Sequence, residues 1–163
     1  MAYRNKAYVC VEYDSDKNYY NTLKMWKNNE KFDFTFYNAH ELNNIMYFSN
    51  EETIKRKLRE RMLNSKMLIV LIGERTKFHH KYVVWEIKLA QKLDIPIIAV
   101  NINKVNGIDK NLCPTCLKGE KVVHIPFSKE ALRHAMDVWP SYYHNIAKND
   151  DKIDYYYEHL ALM

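Results

Sequence analysis

Four groups of side chains have types and spacings that could do chemistry: Glu86 among apolar neighbours, a Cys-x-x-Cys pair at Cys113 and Cys116, adjacent His79 and His80, and a basic run over residues 55–61. Glu86 is the most unusual. With about 100° of turn per helical residue, Tyr82, Val83, Leu89, Ala90 and Leu93 all fall within about 60° of it. Lys88, Gln91 and Lys92 occupy the opposite, wet face. A carboxylate on the apolar side has two readings. One places it at the core edge, snorkelling to water or interacting with the helix N-terminus. The other makes it a half-buried acid facing a ligand crevice, suited to acid/base work or to stabilising a developing cation, with desolvation favouring its neutral form.

The other groups read more simply. Cys113 and Cys116 have metal-knuckle spacing, but structural zinc needs four ligands and no second pair exists, with His124 the only nearby help. No metal site is expected. A redox dithiol would open a helix after an early strand, whereas this pair sits between late strands. His79 and His80 point about 100° apart on a helix and cannot share a ligand easily, although either could contact phosphate. The basic run shares its helix with an apolar stripe of Ile54, Leu58 and Met62 and reads as a solvated face rather than a nucleic-acid surface. The three glycines, Gly73, Gly107 and Gly119, stand apart, so neither a Gly-rich dinucleotide turn nor a P-loop can be written.

The elements that must position these groups alternate. Residues 7–11 form a short apolar strand, and residues 17–28 a helix with Asp16 as N-cap after a Tyr13-Asp14 turn. Residues 32–36 alternate aromatic and polar as a second strand, followed by an aromatic-rich loop over residues 37–48. Ser49 caps a helix ending near Asn64 in a capping-box pattern. The apolar run 67–72 is the central buried strand. After it come a helix over residues 80–93, strands at 96–100 and 122–126, and a helix capped by Ser128 that runs toward Trp139-Pro140. Five strands alternating with helices predict an α/β, flavodoxin-like three-layer sandwich with a five-stranded parallel sheet, its ligand crevice beyond the strand carboxyl ends. Residues 1–148 form one domain and residues 149–163 a C-terminal tail.

At 163 residues, 47% hydrophobic and 28% charged, the chain supports one packed core. Its longest apolar run is far short of the about 20 residues of a membrane span, and the first residues lack a signal-peptide stretch. Three cysteines suggest reduced thiols, and a cytoplasmic protein is expected. The charge of +5 mixes 25 basic with 20 acidic residues and decides no partner.

Thr76 followed by Tyr82-Val83-Val84-Trp85-Glu86-Ile87 resembles the glutamate motif of TIR domains, where an aromatic precedes the catalytic glutamate by four residues. The strand 67–72 leading into Gly73 and Thr76, the Tyr13-Asp14 turn and Trp139-Pro140 extend the likeness over about residues 7–143. The pattern is nearest the ThsB type of the bacterial Thoeris antiphage system. Many TIR domains carry a serine shortly before the aromatic, where this chain has His79-His80-Lys81.

The resemblance implies cleavage of the nicotinamide–ribose bond of NAD, with NAD as substrate and no separate cofactor. Glu86 is implied as the catalytic residue, contacting the ribose hydroxyls and stabilising an oxocarbenium-like state. Tyr13, Asp14, Thr76 and Tyr82 are implied as substrate-binding. It further implies a cyclic ADP-ribose isomer as product and a separate effector protein that senses it. Self-association stays open, and neither nucleic acid nor membrane is expected as a partner. Two alternatives remain: a non-catalytic TIR scaffold, and a nucleoside deoxyribosyltransferase-like enzyme with a covalent glutamate. A receiver domain is excluded, since Leu71-Ile72-Gly73 offers no aspartate at the end of the central strand.

Overall fold

A computed structural model describes residues 6–30, 35–37, 50–145, 149–161 and 163. Strands β1 (Lys6–Cys10), β2 (Thr35–Tyr37), β3 (Met67–Ile72), β4 (Ile97–Asn101) and β5 (Val123–Pro126) pair in parallel, in the order β2-β1-β3-β4-β5. This is the expected α/β, flavodoxin-like sheet. A sixth strand, β6 (Tyr155–Tyr156), joins it beside β5, with Val123 opposite Tyr155. It comes from the stretch expected to be a tail. Tyr155 is held there by burial, its ring 5.0 Å from that of Trp139 and 5.9 Å from that of Tyr142.

Two apolar layers cover the sheet because strand side chains alternate. Ala7, Val9, Met67, Ile69, Leu71, Ile98 and Val100 face one side, where helices α1 (Tyr13–Glu30), α4 (Lys129–Asn145) and α5 (Tyr157–Leu160) contribute Tyr20, Leu23, Trp139 and Leu160. Tyr8, Cys10, Leu68, Val70 and Ile72 face the other, against Ile54, Leu58 and Met62 of α2 (Glu51–Leu63) and Ile87, Leu89 and Ala90 of α3 (Trp85–Lys92). All six residues of β3 are buried, as a strand covered on both faces requires.

Several expected boundaries shift for local reasons. Helix α1 begins at Tyr13, not after Asp16. The Glu12 carboxylate accepts the Ser15 N–H at 2.9 Å and so performs the capping assigned to Asp16, which lies inside the first turns. Helix α2 is capped by Asn50, whose side chain accepts the Thr53 N–H at 2.8 Å. Helix α4 runs through Pro140 to Asn145 instead of stopping near it. Residues 32–34, the expected cap at Ser49 and all but Tyr37 of the aromatic loop lie outside the described residues.

The largest departure precedes Glu86. The expected single helix over residues 80–93 is a π-helical turn, His80–Val84, followed by α3. The Val84 N–H bonds back five residues to the His79 carbonyl, at 3.1 Å. Such widened turns recur at functional positions and rotate the succeeding residues relative to an ideal helix.

Candidate functional site

Glu86, in the first turn of α3, is 1% exposed, far more deeply buried than a half-buried edge position. Its neighbours come from two elements. Tyr8 projects from β1 on the same sheet face and is wholly buried, and Cys10 follows two residues later, its thiol 3.6 Å from the Val83 carbonyl. The Tyr8 hydroxyl stands beside the Glu86 carboxyl as a hydrogen-bonding neighbour, close enough for each to shift the other's titration, yet the contact is loose: neither Glu86 Oε2 nor the Tyr8 hydroxyl makes a well-formed hydrogen bond among the described residues. Two polar groups thus face each other across a dry core without being joined by a well-aligned bond. That is costly unless a ligand or a rearrangement completes them.

Burial pushes the Glu86 carboxyl up to about 8, and the Tyr8 hydroxyl opposes this in part. The glutamate is therefore largely protonated at neutral pH. Burial, with Glu86 adding to it, raises Tyr8 well above the usual phenol range and keeps it a donor. Tyr82, one turn before Glu86, is partly exposed and packs at the edge of the same layer. Burial raises its hydroxyl too, with smaller contributions from Glu51 and Glu86. Tyr82 thus senses both the buried Glu86 carboxyl and Glu51 in the first turn of α2. The His79 ring centre is 6.4 Å from that of Tyr82, and its buried Nδ1 also lacks a partner among the described residues.

Thr76, expected to bind substrate, is turned into the loop that leaves β3. It is 0% exposed, its hydroxyl accepts the Gly73 N–H at 2.8 Å and donates to the Leu71 carbonyl at 3.2 Å. Both hydroxyl functions are spent on shaping the loop that leaves β3. Tyr13 packs with the opposite layer, its ring 6.4 Å from that of Tyr20, and Asp14 is exposed on α1. The structure thus brings Tyr82 to Glu86, makes Thr76 a loop fastener, and sets Tyr13 and Asp14 on the α1 side.

The crevice that the topology calls for is present beyond the carboxyl ends of β1, β3 and β4. It encloses about 390 Å³ among residues that include Asp16, Tyr19, Gly73, Glu74 and Asn103. Glu86 is not one of its walls. Asp16 is 7% exposed and packs so closely on Gly73 that a Cβ there would stand 2.4 Å from its Oδ2. Burial, then Glu12 and Glu74, push its carboxyl up to about 6.

Sequence reasoning missed Tyr8 and Asp16. Tyr8 lies in an apolar strand and reads as packing; the available signal was that strand alternation puts Tyr8 and Cys10 on one face. Asp16 has the right type for a cap, which hid its burial. Cys113 is buried, with its thiol pushed up to about 12, while Cys116 is partly exposed. His124 Nε2 lies 3.7 Å from the Asp154 carboxylate. Among the described residues no three His, Cys, Asp or Glu side chains stand together as a metal site.

A parallel flavodoxin-like sheet carrying a buried glutamate in the helix after its central strand defines an α/β domain of TIR-like build. The model of one protein family, described as "Thoeris protein ThsB, TIR-like domain", matches residues 6–107. The chain belongs to this family, and so to the TIR-domain proteins of Thoeris antiphage defence. No curated protein matches it. Among the described residues, no helix is long and apolar enough to cross a membrane.

Proposed function

We propose that the chain is an NAD-consuming TIR enzyme in which Glu86 promotes loss of nicotinamide and the ribosyl fragment closes on itself to a cyclic ADP-ribose isomer. The observation that carries this is the Glu86 carboxyl: 1% exposed, one oxygen unpartnered, raised to about 8 by desolvation. Membership of the family supports the same reading.

A dry carboxyl responds strongly to a positive charge. The nicotinamide ring of NAD carries one, so substrate binding draws the Glu86 proton off and leaves a carboxylate beside the reacting ribose. The C1′–N bond then breaks heterolytically. Nicotinamide leaves neutral with the bonding pair, no general acid is needed, and the cation at C1′ is held by the carboxylate in surroundings of low dielectric. A hydroxyl of the same molecule adds to C1′ and releases its proton to Glu86; water in its place yields ADP-ribose. Cyclisation requires that water be excluded, which suits the dry setting of Glu86. Tyr8 and Tyr82 flank the carboxylate, with Tyr82 nearer the surface as a stacking or hydrogen-bonding face for the substrate. The cyclic product serves as a signal read by a separate effector protein.

The test is release of nicotinamide from NAD by the purified protein, with products resolved by mass and retention. Free enzyme must lose the Glu86 proton for the step, so kcat/KM rises with pH and levels off above about 8. Glu86→Gln abolishes release while preserving the fold. A wild-type protein that binds partners stably yet never releases nicotinamide marks a scaffold instead. A glycosyl adduct on Glu86 marks a transferase.

A further inference from the structure

On the reverse flank of α3, away from Glu86, lies an open groove of about 540 Å³. This is within the range of small-molecule sites, about 300–1,000 Å³. We propose that it is a second ligand site, one that takes a nucleoside diphosphate, its base against Phe78 and its phosphates among Lys77, His80 and Lys88.

The walls carry that chemistry. Lys77, His80 and Lys88 all line the groove, and no carboxylate does. None of the three forms an ion pair among the described residues. Lys77 Nζ donates one hydrogen bond to the Asn111 carbonyl at 2.5 Å, which fixes the ammonium and leaves donors to spare. Asp109 senses the Lys77 charge but is already engaged by Asn103 Nδ2 at 2.9 Å and by the Asn111 and Leu112 N–H groups, each at 3.0 Å. Phe78 is 66% exposed, unusual for phenylalanine, and its ring centre lies 5.2 Å from Lys77 Nζ. A flat apolar ring beside the Lys77 ammonium, in a groove that also holds Lys88 and no carboxylate, matches a flat base joined to phosphates better than it matches a bare anion.

The site is separate from that of the proposed NAD reaction. Lys88 and Glu86 are two residues apart on α3 and therefore point to nearly opposite sides, Lys88 exposed and Glu86 buried. Occupancy would brace the π-helical turn, because Lys77 and His80 lie on either side of its start and Lys88 comes after it. Binding there does not depend on the protein's cleaving NAD.

Cys116 supplies a reporter. It lines the groove and is partly exposed, whereas Cys10 and Cys113 are buried. Burial raises its thiol, and Lys88 draws it partly back down. In the full chain, N-ethylmaleimide modification of Cys116 is followed by peptide mass with ADP, pyrophosphate or adenosine present. ADP at about ten times its dissociation constant slows modification about tenfold, since protection follows occupancy. Pyrophosphate protects less and adenosine least. Lys77→Glu with Lys88→Glu removes the ADP protection, while Lys57→Glu, exposed on α2 and not among the groove's walls, does not. Absence of ADP protection at millimolar concentration overturns the proposal, as does equal protection by adenosine. The wild-type arms decide even if the double variant does not fold. A protein that binds ADP here but releases no nicotinamide from NAD refutes the proposed function and leaves this site standing.

Discussion

Glu86 should make the protein less stable as the pH rises through the neutral range. The unfolded carboxyl titrates at 4.5 and the folded one at about 8. Between those values the folded state keeps a proton that the unfolded state has released, so stability falls by about 1.4 kcal/mol for each pH unit. Below 4.5 both states are protonated and nothing is lost; above about 8 both are ionised and the penalty is constant. From pH 5 to pH 8 the loss comes to about 3–4 kcal/mol. For a chain of this size that corresponds to about 10 °C in Tm. Glu86→Gln cannot titrate, so its stability declines less over the same range. The assay is chemical denaturation of both proteins at pH steps from 5 to 8. Asp16, raised to about 6, and His124, lowered to about 4, titrate in both proteins and cancel in the difference. Parallel stability curves, or a wild-type protein that gains on the variant as pH rises, would refute the assignment of Glu86 as a dry, protonated acid.

Substitutions at Thr76, Gly73 and His124 probe the packing around the site and the far edge of the sheet. Thr76→Val strands the buried Gly73 N–H and should cost about 1–3 kcal/mol in denaturant unfolding, whereas Thr76→Ser keeps both bonds and costs less than about 1 kcal/mol. Gly73→Ala forces a Cβ against the Asp16 carboxylate and should cost about 1–3 kcal/mol, a loss that shrinks in an Asp16→Ala background; equal losses in the two backgrounds would contradict the contact. His124 is wholly buried and lowered from 6.5 to about 4 chiefly by desolvation, against the pull of Asp154. The unfolded state then takes up a proton that the folded state refuses, so the wild type should lose about 3 kcal/mol as pH falls from 6.5 to about 4, and His124→Gln should not show this step.

Most of the scaffold was legible because hydrophobic patterning determines it. The run of β3 falls on the residues expected, Met67–Ile72, since six consecutive apolar residues, too few for a helix and followed by Gly73, suit a strand covered on both faces. Glu86 was legible for a related reason, as a carboxylate on an apolar stripe. The rest depended on geometry that no period encodes. The π-helical turn at His80–Val84 departs from the ideal 3.6-residue repeat on which the face of Glu86 was drawn, yet the burial of Ile87, Leu89 and Ala90 keeps that face inward. Strand β6 has only two residues after a polar stretch, and its pairing depends on Trp139 and Tyr142 receiving Tyr155. Tyr8 became a site residue only once β1 and α3 were placed face to face. Thr76 also has a backbone role that its motif position does not reveal, because a buried threonine beside a strand end can satisfy the polar groups of the loop that follows.

Whether Glu86 breaks the nicotinamide–ribose bond of NAD is decided by the rate of nicotinamide release by the full chain at pH 6 to 9, for wild type and Glu86→Gln side by side. Release by the wild type should climb with pH to a plateau above about 8 and be lost in the variant at every pH. Release that persists in a folded Glu86→Gln protein would contradict the proposed role of this carboxylate.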